Sequence, residues 1–275
     1  MIAPTRAASA SSRIASLRWW AGIVLMVGAC AAQAAGAASV HLDALTWTEL
    51  RDRIAAGATT VLVPIGGTEQ NGPHMALGKH NRRALLLSER IAERLGDALV
   101  APVVAYVPEG SIEPPTEHMR WPGTISVPAP AFEAMLEAAA RSLQRAGFRH
   151  VVLLGDHGGY RASLELVARR VPGVSAPPEY YRGAGTELAA ALRAQGFSEA
   201  EIGSHAGLAD TALMAALDDS LVRRPIAAPQ PGDGVRGDAR RATPTVARAA
   251  VEHIVTSTAV ALERERAQVK RQSRP

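Results

Sequence analysis

Apolar residues recur along this chain with two alternating periods. Thr59 to Ile65 (TTVLVPI) is β-branched and apolar without interruption and runs into Gly66-Gly67, which predicts a strand buried on both faces. Arg82 to Leu95 carries apolar residues at helical spacing, with Gly96 as the stop. Leu99 to Tyr106 predicts the next strand, and Ala131 to Ala146 a second helix closed by Gly147. His150 to Leu154 is another apolar strand, leading directly into Gly155-Asp156-His157-Gly158-Gly159. Helical spacing returns at Arg161 to Arg170, Thr186 to Gln195, Leu208 to Leu217 and Pro244 to Arg266. Val171 to Gly183 holds three prolines and a Tyr pair, which predicts an irregular loop with one weak strand. Strands that alternate with helices predict an α/β fold, with a largely parallel sheet covered on both faces. In such sheets ligands bind at the carboxyl ends of the strands. The polar clusters Glu69 to His80 and Asp156 to Tyr160 both follow strands, so they can meet in space.

The amino terminus has a different pattern. Three arginines precede the apolar run Trp19 to Ala29, and Ala-rich sequence follows it. That order is the charged, apolar and small-residue progression of an export signal. The run is shorter than the roughly 20 apolar residues of a membrane-spanning helix. Two ends of the signal compete. Ala32-Gln33-Ala34 fits an ordinary cleavage site, giving a signal over residues 1–34, whereas Val27-Gly28-Ala29-Cys30 resembles a lipobox in which Cys30 is acylated. The expectation is an exported protein, periplasmic or secreted, or a lipoprotein, with one domain over residues 40–270.

Composition narrows the class of partner. Three of the 30 basic residues, Arg6, Arg13 and Arg18, lie in the first 20 positions, where there is no Asp or Glu, so the remainder is nearly neutral. A nucleic-acid surface needs a basic patch in the folded part, so none is expected. The single cysteine excludes an internal disulfide and a Cys-based zinc site. No G-x-S-x-G elbow, dinucleotide glycine fingerprint or P-loop is present. Five of the eight histidines fall in polar clusters: His74 and His80, His118 and His157, and His205. A loop at a strand end can turn Glu69, His74 and His80 toward one cation, and Gly-flanked His157 lets backbone approach a ligand. Imidazole with carboxylate suits zinc or manganese, while histidines satisfied by local hydrogen bonds are the plainer reading.

Five blocks in order resemble the creatininase, or creatinine amidohydrolase, family: PIGGTEQNGPHMALGKH at 64–80, EHMRWPGTISV at 117–127, GFRHVVLLGDHGG at 147–159, SHAGLADTALM at 204–214 and GVRGDARRAT at 234–243. The resemblance implies a three-layer α/β/α fold with a mostly parallel sheet and a homo-oligomer, often a hexamer. It also implies one or two divalent ions and hydrolysis of an amide or cyclic amide C–N bond.

Carried over position by position, the resemblance implies a changed site. Glu69 matches the family's first glutamate ligand, and His157 its later histidine. Asn71 stands where a histidine is usual, His80 where an aspartate bridges two metals, and Gly159 where creatininase itself has a glutamate. Asp210 replaces a glutamate, and His205 is kept. Glu69, His80, His157 and Asp210 are thus expected to ligate a single Zn or Mn ion, because loss of the bridging carboxylate leaves little charge for a second. His205 is the expected catalytic proton shuttle. Asn71, His74, His118 and Tyr160 are the expected contacts to a small-molecule amide substrate. The chain has no Trp after Trp121, where creatininase places tryptophans over its substrate, and this argues against creatinine itself. The alternative from another class is an exported binding protein that keeps the pocket without turnover.

Overall fold

The computed structural model describes residues 39–272; the expected signal and Cys30 lie outside the described residues. Strand β1 (Thr60–Ile65) is buried along its whole length. It pairs in parallel with β2 (Ala98–Val100) on one side and with β3 (His150–Gly155) on the other, and β3 pairs in parallel with β4 (Val174–Ser175). Among the described residues the sheet order is β2-β1-β3-β4. The strand read over Leu99 to Tyr106 is cut to three residues. Pro64 offers no N–H on the side where Val104 N–H reaches its carbonyl, and Pro102 cannot extend a ladder, so only an Ile65–Val104 bridge remains beyond Val100.

The helices are α1 (Trp47–Ala55), α2 (Lys79–Leu95), α3 (Ala129–Ala146), α4 (Arg161–Arg170), α5 (Pro178–Arg182), α6 (Leu188–Ala194), α7 (Glu199–Ile202), α8 (Leu208–Asp218) and α9 (Arg248–Gln272). α2 and α3 stop at Gly96 and Gly147, as the sequence predicts. The segment read as a loop from Val171 carries β4 and the short α5, and a π-turn at Gly183–Glu187 joins α5 to α6.

Alternation along the strands sorts the core into two layers. Leu62, Val100, Val152 and Leu154 pack with Leu87 and Ile91 of α2, Leu213 of α8 and Ile254 of α9. Val61, Val63, Leu99, Val151 and Leu153 face the other way, onto Phe132 and Leu136 of α3 and Leu164 and Val167 of α4. Each such buried side chain contributes about 1.5–3 kcal/mol, which is why both strand faces read as apolar. The result is the expected three-layer α/β/α arrangement. No described helix is long and apolar enough to cross a membrane.

From β1 the chain crosses through α2 to β2 on one side, then returns through α3 to β3 on the other. The carboxyl ends of β1 and β3 therefore flank the point where the winding reverses, the place where open α/β sheets bind ligands.

Candidate active site

The chain leaves β1 through Gly66-Gly67. Gly67 has φ +143°, and the space a Cβ would fill there is taken by the carboxylate of Glu109. Two residues on, Glu69 is fully buried and is ringed by imidazoles. His80 Nε2 lies 2.8 Å from its Oε1, and His205 Nδ1 lies 3.8 Å from the same oxygen. His118 Nε2 and His157 Nε2 lie 3.2 and 3.7 Å from its Oε2. Burial alone raises the Glu69 carboxyl, but the charge and hydrogen bond of His80 and the charge of Lys79 overcome it and hold the group well below the usual range.

Glu109 comes from the long connection between β2 and α3 and carries no motif of its own. It is buried, and neither carboxylate oxygen has a hydrogen-bond partner among the described residues. Burial first, then the Glu69 carboxylate, pushes it up to about 9. Each ring nitrogen of His157 faces a carboxylate: Nε2 faces Glu69, and Nδ1 lies 3.5 Å from Glu109 Oε2, where Gly159 N–H also approaches at 3.3 Å. Burial pushes His157 down to about 3 and the charge of His80 adds to it, so its imidazole is neutral near pH 7. Glu69, Glu109, His118 and His157 form a group whose donor atoms all lie within 4.8 Å of one another.

Glu69, His80 and His157 do converge, but two of the expected ligands have other partners. Both ring nitrogens of His80 are engaged by carboxylates, Nε2 by Glu69 and Nδ1 by Asp156 at 2.5 Å, so neither is left for an ion. The helix starts at Lys79, three residues before the sequence reading, and this turns His80 inward from its first turn. Asp210 is held by Arg83 Nη1 at 3.0 Å, Lys79 Nζ at 3.2 Å and the Ala206 N–H at 2.9 Å. Burial opposes its ionisation, but Lys79 and Arg83 hold its carboxyl well below the usual range. Arg83 Nε also donates to Asp156 at 2.7 Å.

Three of the four expected substrate contacts brace the scaffold instead. Tyr160 is 1% exposed; its hydroxyl lies 2.8 and 2.7 Å from the carbonyls of Ile65 and Gly66 and accepts from the N–H groups of Asp156 and His157. Asn71 donates to the Glu69 carbonyl at 2.9 Å, and His74 Nε2 meets Thr211 Oγ1 at 3.0 Å. Both therefore fasten the loop that presents Glu69. His118 is the exception. The Gln70 amide is oriented by Gly72 N–H, which donates to its Oε1, and Gln70 Nε2 lies 3.2 Å from His118 Nδ1. That nitrogen is thereby an acceptor, and the His118 Nε2–H points at Glu69.

His205 keeps its expected place. Its Nε2 is held between the Gln70 carbonyl at 2.9 Å and the Gln70 side-chain amide nitrogen at 3.0 Å, and its Nδ1 lies 3.8 Å from Glu69 Oε1. Burial pushes it down to about 4 and the Lys79 charge adds to it. A cavity of about 140 Å³ opens over His80, Arg83, His157, Tyr181, His205 and Asp210. It adjoins an outer cleft of about 360 Å³ that shares Tyr181, Ala184, Gly185, Ser204, His205 and Asp210 and reaches Thr186 and Arg193.

The parallel three-layer α/β/α domain thus gathers buried carboxylates and imidazoles at its switch point, among them a group that could hold a metal ion. Residues 43–262 match the family described as Creatininase: Creatinine amidohydrolase, so the chain belongs to the creatininase family. It is 39% identical over 104 residues to the mycofactocin precursor peptide peptidase of Mycolicibacterium smegmatis, a stretch that covers 36% of this chain and 39% of that protein. It is 33% identical over 129 residues to the creatinine amidohydrolase of Pseudomonas putida, covering 47% of this chain and 48% of that protein. The chain thus spans less than half the length of either curated relative. A crystal structure of creatinine amidohydrolase superposes with TM-score 0.66 at 26% identity, over 83% of this chain and 98% of that one. Related solved creatininases include a mutant described as a Zn–Zn type and a form described as creatininase Mn, with TM-scores of 0.66 and 0.65.

Proposed function

We propose that this chain is a metal-dependent amidohydrolase that cleaves a C–N bond of a small amide or cyclic amide with one divalent ion, zinc or manganese. The observation that carries the reading is the buried Glu69–Glu109 pair, whose oxygens Glu69 Oε2, Glu109 Oε1 and Glu109 Oε2 lack hydrogen-bond partners among the described residues. Two buried carboxylates this close hold a proton between them, as the raised Glu109 shows, and a divalent ion can take the place of that proton. Glu69, Glu109 and His157 would hold the ion, with His118 at the edge of the group; three protein ligands and an open position are the usual pattern of a catalytic zinc site. An ion held there supplies Lewis-acid character for hydrolysis.

The side chains do the rest. The His118 Nε2–H is a donor that orients Glu69 or the substrate carbonyl. His205 lines the cavity as a neutral imidazole and is placed to take a proton and pass it to the leaving nitrogen. The burial of Glu69, Glu109 and His205 keeps the centre low in dielectric, where these charges act most strongly.

A second reading concerns the size of the substrate. The outer cleft is walled in large part by small residues, Ala184, Gly185, Ala189, Gly203 and Ala209, and continues past the inner cavity. It has room for a chain extending beyond the scissile bond, which favours a peptide amide, in keeping with the peptidase relative. The test is metal analysis of the purified protein together with hydrolysis of cyclic amides and short peptides, with and without a chelator. Chelator-sensitive cleavage of either class supports the reading. A protein that binds no zinc or manganese and cleaves neither class overturns it.

A further inference from the structure

The first turn of α2 puts two more charged side chains into the centre, and the reaction outlined above uses neither. Lys79 and Arg83 are four residues apart, so they share a helix face, and both are buried. The Lys79 side chain is 0% exposed. Its ammonium lies between two carboxylates, 3.2 Å from Asp210 Oδ2 and 3.8 Å from Glu69 Oε1, and makes no hydrogen bond among the described residues. A buried ammonium held only by charge is costly, and the anions on either side are what keep it there. Arg83 bonds Asp156 and Asp210 and occupies the far side of the same cluster.

The charges can be counted. Glu69, Glu109, Asp156 and Asp210 are the carboxylates of the cluster, and Lys79 and Arg83 are its fixed cations. With all four carboxylates ionised the balance is two negative charges, and His80, wedged between Glu69 and Asp156, can only reduce it. One divalent ion neutralises that balance. A second would leave two buried positive charges in excess, against one once Lys79 is removed, and a low-dielectric site disfavours the larger excess more strongly.

We propose that Lys79 is a positioning residue: a tethered cation that fixes Glu69 and Asp210 on either side of it and limits the centre to one divalent ion. The inference rests on the metal-dependent reading above. Without Lys79, Glu69 Oε1 and Asp210 Oδ2 lose the cation that stands between them, while Arg83 stays on Asp210 Oδ1, and the vacated place between two carboxylate oxygens is one a second dication can take. Arginine at this position keeps the charge, whereas a short neutral residue removes both the charge and the bulk.

The test is zinc stoichiometry. The full chain and its Lys79→Ala and Lys79→Arg variants are stripped with a chelator, reloaded with excess zinc, desalted and analysed for metal by plasma mass spectrometry. The expected result is one zinc per chain in the wild type and in Lys79→Arg, rising toward two in Lys79→Ala. Zinc is also expected to raise the melting temperature of Lys79→Ala more than that of the wild type, because the ion replaces a lost buried charge. Two ions in the wild type, or one ion with no extra zinc-dependent stabilisation in Lys79→Ala, overturns the role given to Lys79. If Lys79→Ala does not fold even with zinc, Lys79→Gln takes its place under the same criteria. No zinc in the wild type overturns the reading of the centre as a metal site, and so separates the two failures.

Discussion

The carboxylate of Glu109 is packed against that of Glu69 from a connection 40 residues further along the chain, and burial together with this neighbour pushes Glu109 up to about 9. A pair of this kind favours a cation. Glu109→Gln keeps the shape and removes the charge, so zinc affinity is expected to fall by at least about tenfold. Zinc titration of the chelated protein, read by calorimetry, checks this. An unchanged affinity would remove Glu109 from the site.

His205 lines the cavity with its Nε2 fastened to Gln70, by the carbonyl at 2.9 Å and the side-chain amide at 3.0 Å, an arrangement suited to proton transfer rather than ligation. His205→Ala is expected to lower kcat by about 10²- to 10⁴-fold while zinc content per chain stays the same. Loss of both together would point to a ligand, and loss of neither to a bystander.

Tyr160 ties the carboxyl ends of β1 and β3 together through one hydroxyl, in contact with two carbonyls and two N–H groups. Tyr160→Phe takes the partner from the Gly66 carbonyl and the His157 N–H, while Ile65 and Asp156 keep their bond to each other, and is expected to cost about 1–3 kcal/mol. At about 2–4 °C per kcal/mol for a domain of this size, the melting temperature falls by several degrees. Calorimetry with and without zinc gives the value, and a variant as stable as the wild type would contradict this account of the hydroxyl.

Glu201 closes a capping box on Ser198 at the start of α7 and pairs with Arg241. The Ser198 backbone N–H, then its hydroxyl, then Arg241 bring the carboxyl down to about 2. A carboxyl depressed in the folded state adds stability that is complete above the unfolded value of 4.5 and is lost as pH falls toward 2. Glu201→Gln therefore lowers the melting temperature at pH 6 and flattens its decline between about pH 4.5 and 2. Parallel declines in the two proteins would show that other groups govern this window.

The sequence by itself determined the layers of this protein and the region of its site. Uninterrupted apolar runs at β1 and β3 can only be buried on both faces, and helices that end at Gly96 and Gly147 supply the cover. The blocks around Glu69, His157 and His205 marked the chemistry, because strand ends in such a sheet converge. Tertiary structure decided which side chains were free to act. Lys79 and His80 carry loop-like polar sequence, but the helix begins at Lys79, and that start turns Lys79, His80 and Arg83 inward together. Asp210 looked like a ligand by position, but it is engaged by cations from a helix over 120 residues earlier. Glu109 sits among prolines and glycines with no periodicity to single it out, and it gains its meaning only from meeting Glu69 and His157. Local pattern records which segments must be buried. The partner of a buried charge is chosen by distance across the fold, and no local pattern records that.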